Sequence, residues 1–174
     1  MTDHIAGLLG VEPAGIIYTS GASESNNLAI KGIAQASRST GRHMISTVLE
    51  HASVGGTLTA LQQQGWEVDL LDIQRDGTID LEQLGDLLRK DTILVSVCAV
   101  DSELGTVQPI RQITEILKDF PNCRLHVDAT QAIGKTELVM DGVDTMSIAP
   151  HKFYGLNGLS LIHISEPTRQ AEIS

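Results

Sequence analysis

Short apolar, β-branched runs alternate with segments of helical period along most of the chain. The runs are GIIYTS (15–20), HMISTV (43–48), EVDLLDI (67–73), TILVSVCAV (92–100), RLHVDA (124–129) and TMSIA (145–149). Between them, Leu81, Leu84, Leu87 and Leu88 fall on one helical face, as do Ile110, Ile113, Ile116 and Leu117. Pro109 opens the second of these helices where a missing N–H is tolerated. RDGTID (75–80) reads as a turn leading to Asp80 as an N-cap. Strand runs alternating with helices predict an α/β fold: a three-layer, mostly parallel sheet sandwiched by helices. No repeat or low-complexity linker appears before residue 160, so one unit over 1–159 is expected. From there SLIHISEPTRQAEIS (160–174) shows neither strand alternation nor a helical stripe, and it is expected to lie outside the fold.

Composition narrows the class of partner. The 174 residues are 41% hydrophobic and 20% charged, enough for one sizeable core. A formal charge of −10 argues against nucleic acid and against an anionic membrane surface, since neither meets a cation here. No apolar run approaches the roughly 20 residues that span a bilayer, and MTDHIAGLLGVEP lacks the basic-then-apolar order of a secretory signal. A cytoplasmic protein is expected. Cys98 and Cys123 show no ligand spacing, so neither a disulfide framework nor a metal site is expected, and Cys98 reads as a small core residue.

In an open parallel sheet, ligands bind beyond the carboxyl ends of the strands. Five strand exits carry reactive groups: SGASES (20–25), EH (50–51), DSELG (101–105), DATQ (128–131) and PHK (150–152). In the first, a strand passes through small residues into a helix, leaving N–H groups near Ala22 and Ser23 backed by the positive helix end, a geometry that holds phosphate. Capping of the helix by Ser23 is the plainer alternative. Neither GxGxxG nor GK[ST] is present, which disfavours a dinucleotide or P-loop nucleotide.

Asp128 ends an apolar run, so its carboxylate is expected to be partly buried and in need of a cationic partner, such as a protonated ring nitrogen. Gln131 is near enough to donate to the same ligand. His51 suits either stacking on a flat ring with proton transfer, or capping. Lys152 and His151 leave the last predicted strand. A lysine facing a phosphate cradle, a carboxylate and a stacking imidazole is the set that holds pyridoxal 5'-phosphate as a Schiff base.

The stretches TSGASESNNLAIKG, EHASV, ELGTVQPI, HVDATQAIGK and APHKFYG resemble, in order and spacing, the large domain of cysteine desulfurases of the NifS/IscS type, in the class V aminotransferase group of fold-type I pyridoxal phosphate enzymes. The resemblance runs from about residue 5 to 159. It implies that Lys152 is the covalent anchor and takes the Cα proton, that Asp128 keeps the pyridine nitrogen protonated, and that His51 stacks and shuttles protons. It further implies that Gln131 contacts the phenolate oxygen and that Ala22, Ser23 and His151 bind phosphate. Such enzymes convert L-cysteine to L-alanine and pass sulfur to iron–sulfur scaffold or other acceptor proteins, as homodimers. A selenocysteine lyase, an aminotransferase and a non-catalytic piece are the alternatives.

Three positions depart from the pattern. Asp101 stands where an asparagine is usual near the phenolate oxygen, Ala149 replaces a phosphate-binding serine, and GLNG (155–158) replaces Gly-Pro-Lys-Gly. The match is to an incomplete large domain, less than half a usual chain. The sulfur-accepting cysteine and the carboxylate-binding arginine are expected to lie outside it, and the isolated chain is expected to lack turnover. LIHISEPTR resembles translated sequencing-adapter read-through.

Overall fold

The structure, a computed structural model, describes residues 1–137, 139–153 and 160–165. The chain runs α1 (Thr2–Leu9), β1 (Ile16–Thr19), α2 (Ala22–Ala36), β2 (His43–Thr47), α3 (Ala52–Gln62), β3 (Glu67–Leu71), α4 (Leu81–Leu87), β4 (Thr92–Cys98), α5 (Ile110–Leu117), β5 (Arg124–Asp128), β6 (Thr145–Ile148) and β7 (Ser160–Ile164), with a 3₁₀ turn at Pro150–Phe153. All six strand runs seen in the sequence form strands. They join one sheet in the order β1-β7-β6-β5-β4-β2-β3, in which the four contacts from β3 to β6 are parallel and only β7 runs the other way.

Alternation along the strands separates two hydrophobic layers. Met44 and Leu94 pack with Ile30, Ala34, Val54, Leu58 and Leu61 under α2 and α3. Their neighbours Ile45 and Val95 point the opposite way, to Leu84, Ile113 and Leu117 under α4 and α5. Both faces of the central strands are therefore covered, and β2 and β4 are buried along their whole length. The three-layer, mostly parallel arrangement is the one the alternation predicts.

Local signals fall close to where the sequence puts them. Asp80 caps α4, its carboxylate accepting from Glu82 N at 3.0 Å and Gln83 N at 3.1 Å. Pro109 sits one residue before the first turn of α5. In the turn before α4, Gly77 has φ +83, and an added Cβ would lie 2.5 Å from Thr106 Oγ1, so glycine is needed there for conformation and for space. Among the described residues, no helix is long and apolar enough to cross a membrane.

One expectation is corrected. Residues 160–164 do not lie outside the sheet: β7 pairs antiparallel with both β1 and β6, Ile162 facing Ile17 on one side and Ser147 on the other. A strand covered on both sides needs no alternation, which is why the pattern gave no sign of it. Ser160 Oγ and His163 Nδ1 are buried without a hydrogen-bond partner, as is Ser147 Oγ on β6, and burial lowers the pKa of His163. Residues 166–174 lie outside the described residues, as does the departure at 155–158.

Candidate active site

Because the parallel strands deliver their carboxyl ends to one edge, the polar exits converge there. They line a cavity of about 290 Å³. Its walls include Ala22 and Ser23 from α2, His51 after β2, Asp128 and Gln131 after β5, and His151 with Lys152 after β6. Seven of the eight site residues expected from the sequence are thus brought together.

The start of α2 is open toward this space. Gly21 is the N-cap, in extended conformation and with no side-chain cap, and Ser23 is the second helical residue. Ser23 is therefore not the cap. Ala22 and Ser23 carry N–H groups that have no acceptor within the helix. The first-turn Glu24 is turned back on Ser20, whose N–H and Oγ–H donate to its Oε2 at 2.7 and 2.6 Å. These bonds lower the Glu24 pKa.

Asp128 is 6% exposed. Its Oδ1 accepts from Thr130 N at 2.9 Å and its Oδ2 from Asn26 Nδ2 at 2.7 Å. Among the described residues no ion pair reaches it. The anion is oriented but not neutralised, which leaves it able to hold a protonated heterocycle.

His51 serves as the N-cap of α3, the capping role the sequence allowed, and also lines the cavity. Its Nδ1 accepts from Ser53 N at 3.1 Å. A backbone N–H can only donate, so the neutral ring carries its proton on Nε2. Lys152 and His151 are exposed in the 3₁₀ turn after β6, with Lys152 N–H donating to Ala149 O at 3.1 Å. Gln131 Oε1 accepts from Lys135 Nζ at 3.1 Å, which leaves its amide N–H groups for other acceptors.

Asp101 is the exception. It is buried but does not line the cavity, where Val100 and Ser102 stand instead. Its Oδ1 accepts from Glu103 N at 3.0 Å and from Leu104 N, closing its own loop. An aspartate followed by a tight turn bonds its own backbone in this way, so the carboxylate is committed to its loop rather than to the cavity wall. Ala149 is fully buried.

Several residues at the site were not singled out in the sequence. Asn26 lies on the buried face of α2 with Ala29 and Ile30, and touches Asp128. An amide among apolar inward positions is the signal that marks it. Glu50 Oε1 accepts from Cys98 N and Thr47 Oγ1, while burial pushes its carboxyl up to about 8. Burial also pushes the Cys98 thiol far above its usual range, and Glu50 and Asp128 add to this. Cys98 thus lines the cavity as a protonated thiol and Cys123 is fully buried, so neither is a thiolate nucleophile. Thr130 Oγ1, also on the cavity wall, is buried without a partner.

Comparison with known proteins bears on this site. The aminotransferase class-V family pattern matches residues 1–172. A NifS/IcsS protein homolog of Lactobacillus delbrueckii subsp. bulgaricus is 46% identical over 163 residues, which is 92% of this chain and 42% of that protein. The cysteine desulfurase IscS of Colwellia psychrerythraea is 43% identical over 169 residues, 96% of this chain and 42% of that protein. Among solved structures, a NifS-like protein superposes with TM-score 0.90 at 36% identity over 94% of this chain and 46% of its own. A structure described as SspA in complex with cysteine gives 0.87 at 36% identity, over 94% and 47%. This chain therefore spans about 42% of the length of these curated relatives. Class V aminotransferases and cysteine desulfurases are pyridoxal phosphate-dependent. With its rim of strand exits and a family match along nearly its whole length, the chain belongs to the class V aminotransferase family.

Proposed function

We propose that this chain is the cofactor-binding part of a pyridoxal phosphate-dependent cysteine desulfurase, which converts L-cysteine to L-alanine and hands sulfur to an iron–sulfur scaffold or other acceptor protein. The observation that carries the reading is the convergence of an open helix N-terminus, an unneutralised buried carboxylate, an imidazole and an amine on one cavity. The donor set fits the group. A glycine N-cap offers a phosphate bare N–H groups, Asp128 lacks a cation, and the Thr130 hydroxyl is unpaired.

When bound, pyridoxal phosphate supplies an electron sink for the substrate amine. In this reading Ala22 and Ser23 hold the phosphate through backbone N–H groups, with His151 beside them. Asp128 keeps a proton on the ring nitrogen. Gln131, its Oε1 already held by Lys135, donates through Nε2 to the phenolate oxygen. His51 stacks on the ring and moves protons at Nε2. Lys152 would hold the cofactor covalently through Nζ and would serve as the base toward the substrate Cα. Asp101 is not assigned a cofactor contact.

The sulfur-accepting thiolate is supplied from outside these 174 residues, since both cysteines here are buried. The parent protein acts in the cytoplasm as a homodimer. Residues 1–159 carry the cofactor layer. Residues 160–164 complete the sheet beside it as β7. Titration with pyridoxal phosphate, followed by absorption, tests the reading. Saturable binding lost in Lys152→Ala supports it, and equal spectra for both proteins contradict it.

A further inference from the structure

We propose that Asn26 is a positioning residue that fixes the Asp128 carboxylate and the His51 imidazole relative to each other through one chain of hydrogen bonds, buried at Asp128 and exposed at His51. The inference rests on the assignment of Asp128 and His51 above. It concerns a residue that does not line the cavity.

With the His126 ring neutral, each link has only one direction open to it. A carboxylate can only accept, so the contact of 2.7 Å to Asp128 Oδ2 must come from Asn26 Nδ2. That orients the amide, and its Oδ1 then faces His126 Nε2 at 3.1 Å, which must carry a hydrogen. The other nitrogen of His126 accepts from Thr145 Oγ1 at 2.8 Å. Burial lowers the pKa of His126 to about 4, against an opposing pull from Asp128, and keeps the ring in this neutral form. The second hydrogen of Asn26 Nδ2 goes to Ser53 Oγ at 3.0 Å. With that oxygen already accepting, the Ser53 hydroxyl hydrogen is free for His51 Nδ1 at 2.9 Å, beside the Ser53 N–H on the same atom.

The chain thus links β6, β5, α2 and α3. Thr145 and His126 aim the amide, one of whose hydrogens goes to Asp128 directly while the other reaches His51 only through the Ser53 hydroxyl. Packing alone does not call for an amide here: Asn26 sits on a helix face with Ser25, Ala29, Ile30 and Ala34, where a leucine would serve the core. A leucine would leave Asp128 Oδ2 and His126 Nε2 without their partner.

The test uses the whole chain. Nitrogen-15 shifts of the imidazoles, recorded without cofactor, should show His126 protonated at Nε2 only and His51 with a bare Nδ1. Asn26→Ala should remove the His126 N–H signal and weaken pyridoxal phosphate binding on the order of tenfold, with a shifted absorption band. Asn26→Asp keeps the acceptor for His126 but sets an anion against Asp128, so it should retain the His126 signal and still lose the cofactor effect. Ser53→Ala, outside the buried core, should move the His51 shift and leave His126 unchanged, even if the Asn26 variants fold poorly. Wild-type binding and spectra in both Asn26 variants would overturn this inference and leave the assignment of Lys152 intact. A wild-type chain that binds no cofactor would remove that assignment, and the imidazole shifts would then decide the chain of bonds alone: a bare His126 Nε2 overturns it.

Discussion

Glu50 Oε1 accepts the backbone N–H of Cys98 at 2.8 Å, tying the exit of β2, which bears His51, to the end of β4. The same oxygen accepts from Thr47 Oγ1 at 2.9 Å, while Oε2 is buried with no partner. Two donors hold the group in place and desolvation keeps it protonated.

The Glu50 carboxyl ionises near 4.5 when unfolded and about 8 when folded. Between those values the unfolded chain holds fewer protons, so stability falls as pH rises through this window. In Glu50→Gln the fall should flatten, with a gain of order a few kcal/mol at pH 8. Urea melts at pH 5 and pH 8 check this. Parallel losses in both proteins would count against it.

His126 has the opposite sign. Its folded pKa, lowered by burial to about 4, lies beneath the ordinary 6.5. The unfolded chain takes up a proton first as pH drops below 6.5, and stability is lost progressively toward 4. His126→Gln should remove most of this acid sensitivity, at the expense of some stability at neutral pH. Thermal melts from pH 7 to pH 4.5 measure both effects.

Asp101→Asn should alter pyridoxal phosphate affinity by less than about threefold, because Oδ1 bonds its own loop and asparagine can accept the same two N–H groups. A tenfold gain would place the carboxylate at the cofactor after all. Equilibrium titration decides.

Ser160 offers a test of how well β7 suits its place. Its hydroxyl is buried and unsatisfied, so Ser160→Ala should stabilise the chain by about 1 kcal/mol. A lower midpoint in denaturant would show that the hydroxyl has a partner.

The layered fold was readable because each strand run is short, β-branched and separated by helical stripes such as Ile110, Ile113 and Leu117. The meeting of the polar strand exits on one rim was readable for the same reason, because topology alone brings them there. Asn26, Ser53 and His126 were not, since their role lies in pairing across 27 and 100 positions, which no local pattern encodes. Asp101 was read as a ligand contact because its place in the chain fits one. Its preference for its own turn is local chemistry that outweighed that position. β7 escaped notice because its neighbours, not its own alternation, make it a strand.

The most direct test of the central claim is to incubate the chain with pyridoxal phosphate, reduce with borohydride and map the modified peptide by mass spectrometry. The account predicts stoichiometric pyridoxyl label on Lys152, abolished in Lys152→Ala and weakened in Asp128→Asn. Label scattered over exposed lysines such as Lys31, Lys90 and Lys118, with Lys152 no more reactive than these, would contradict it.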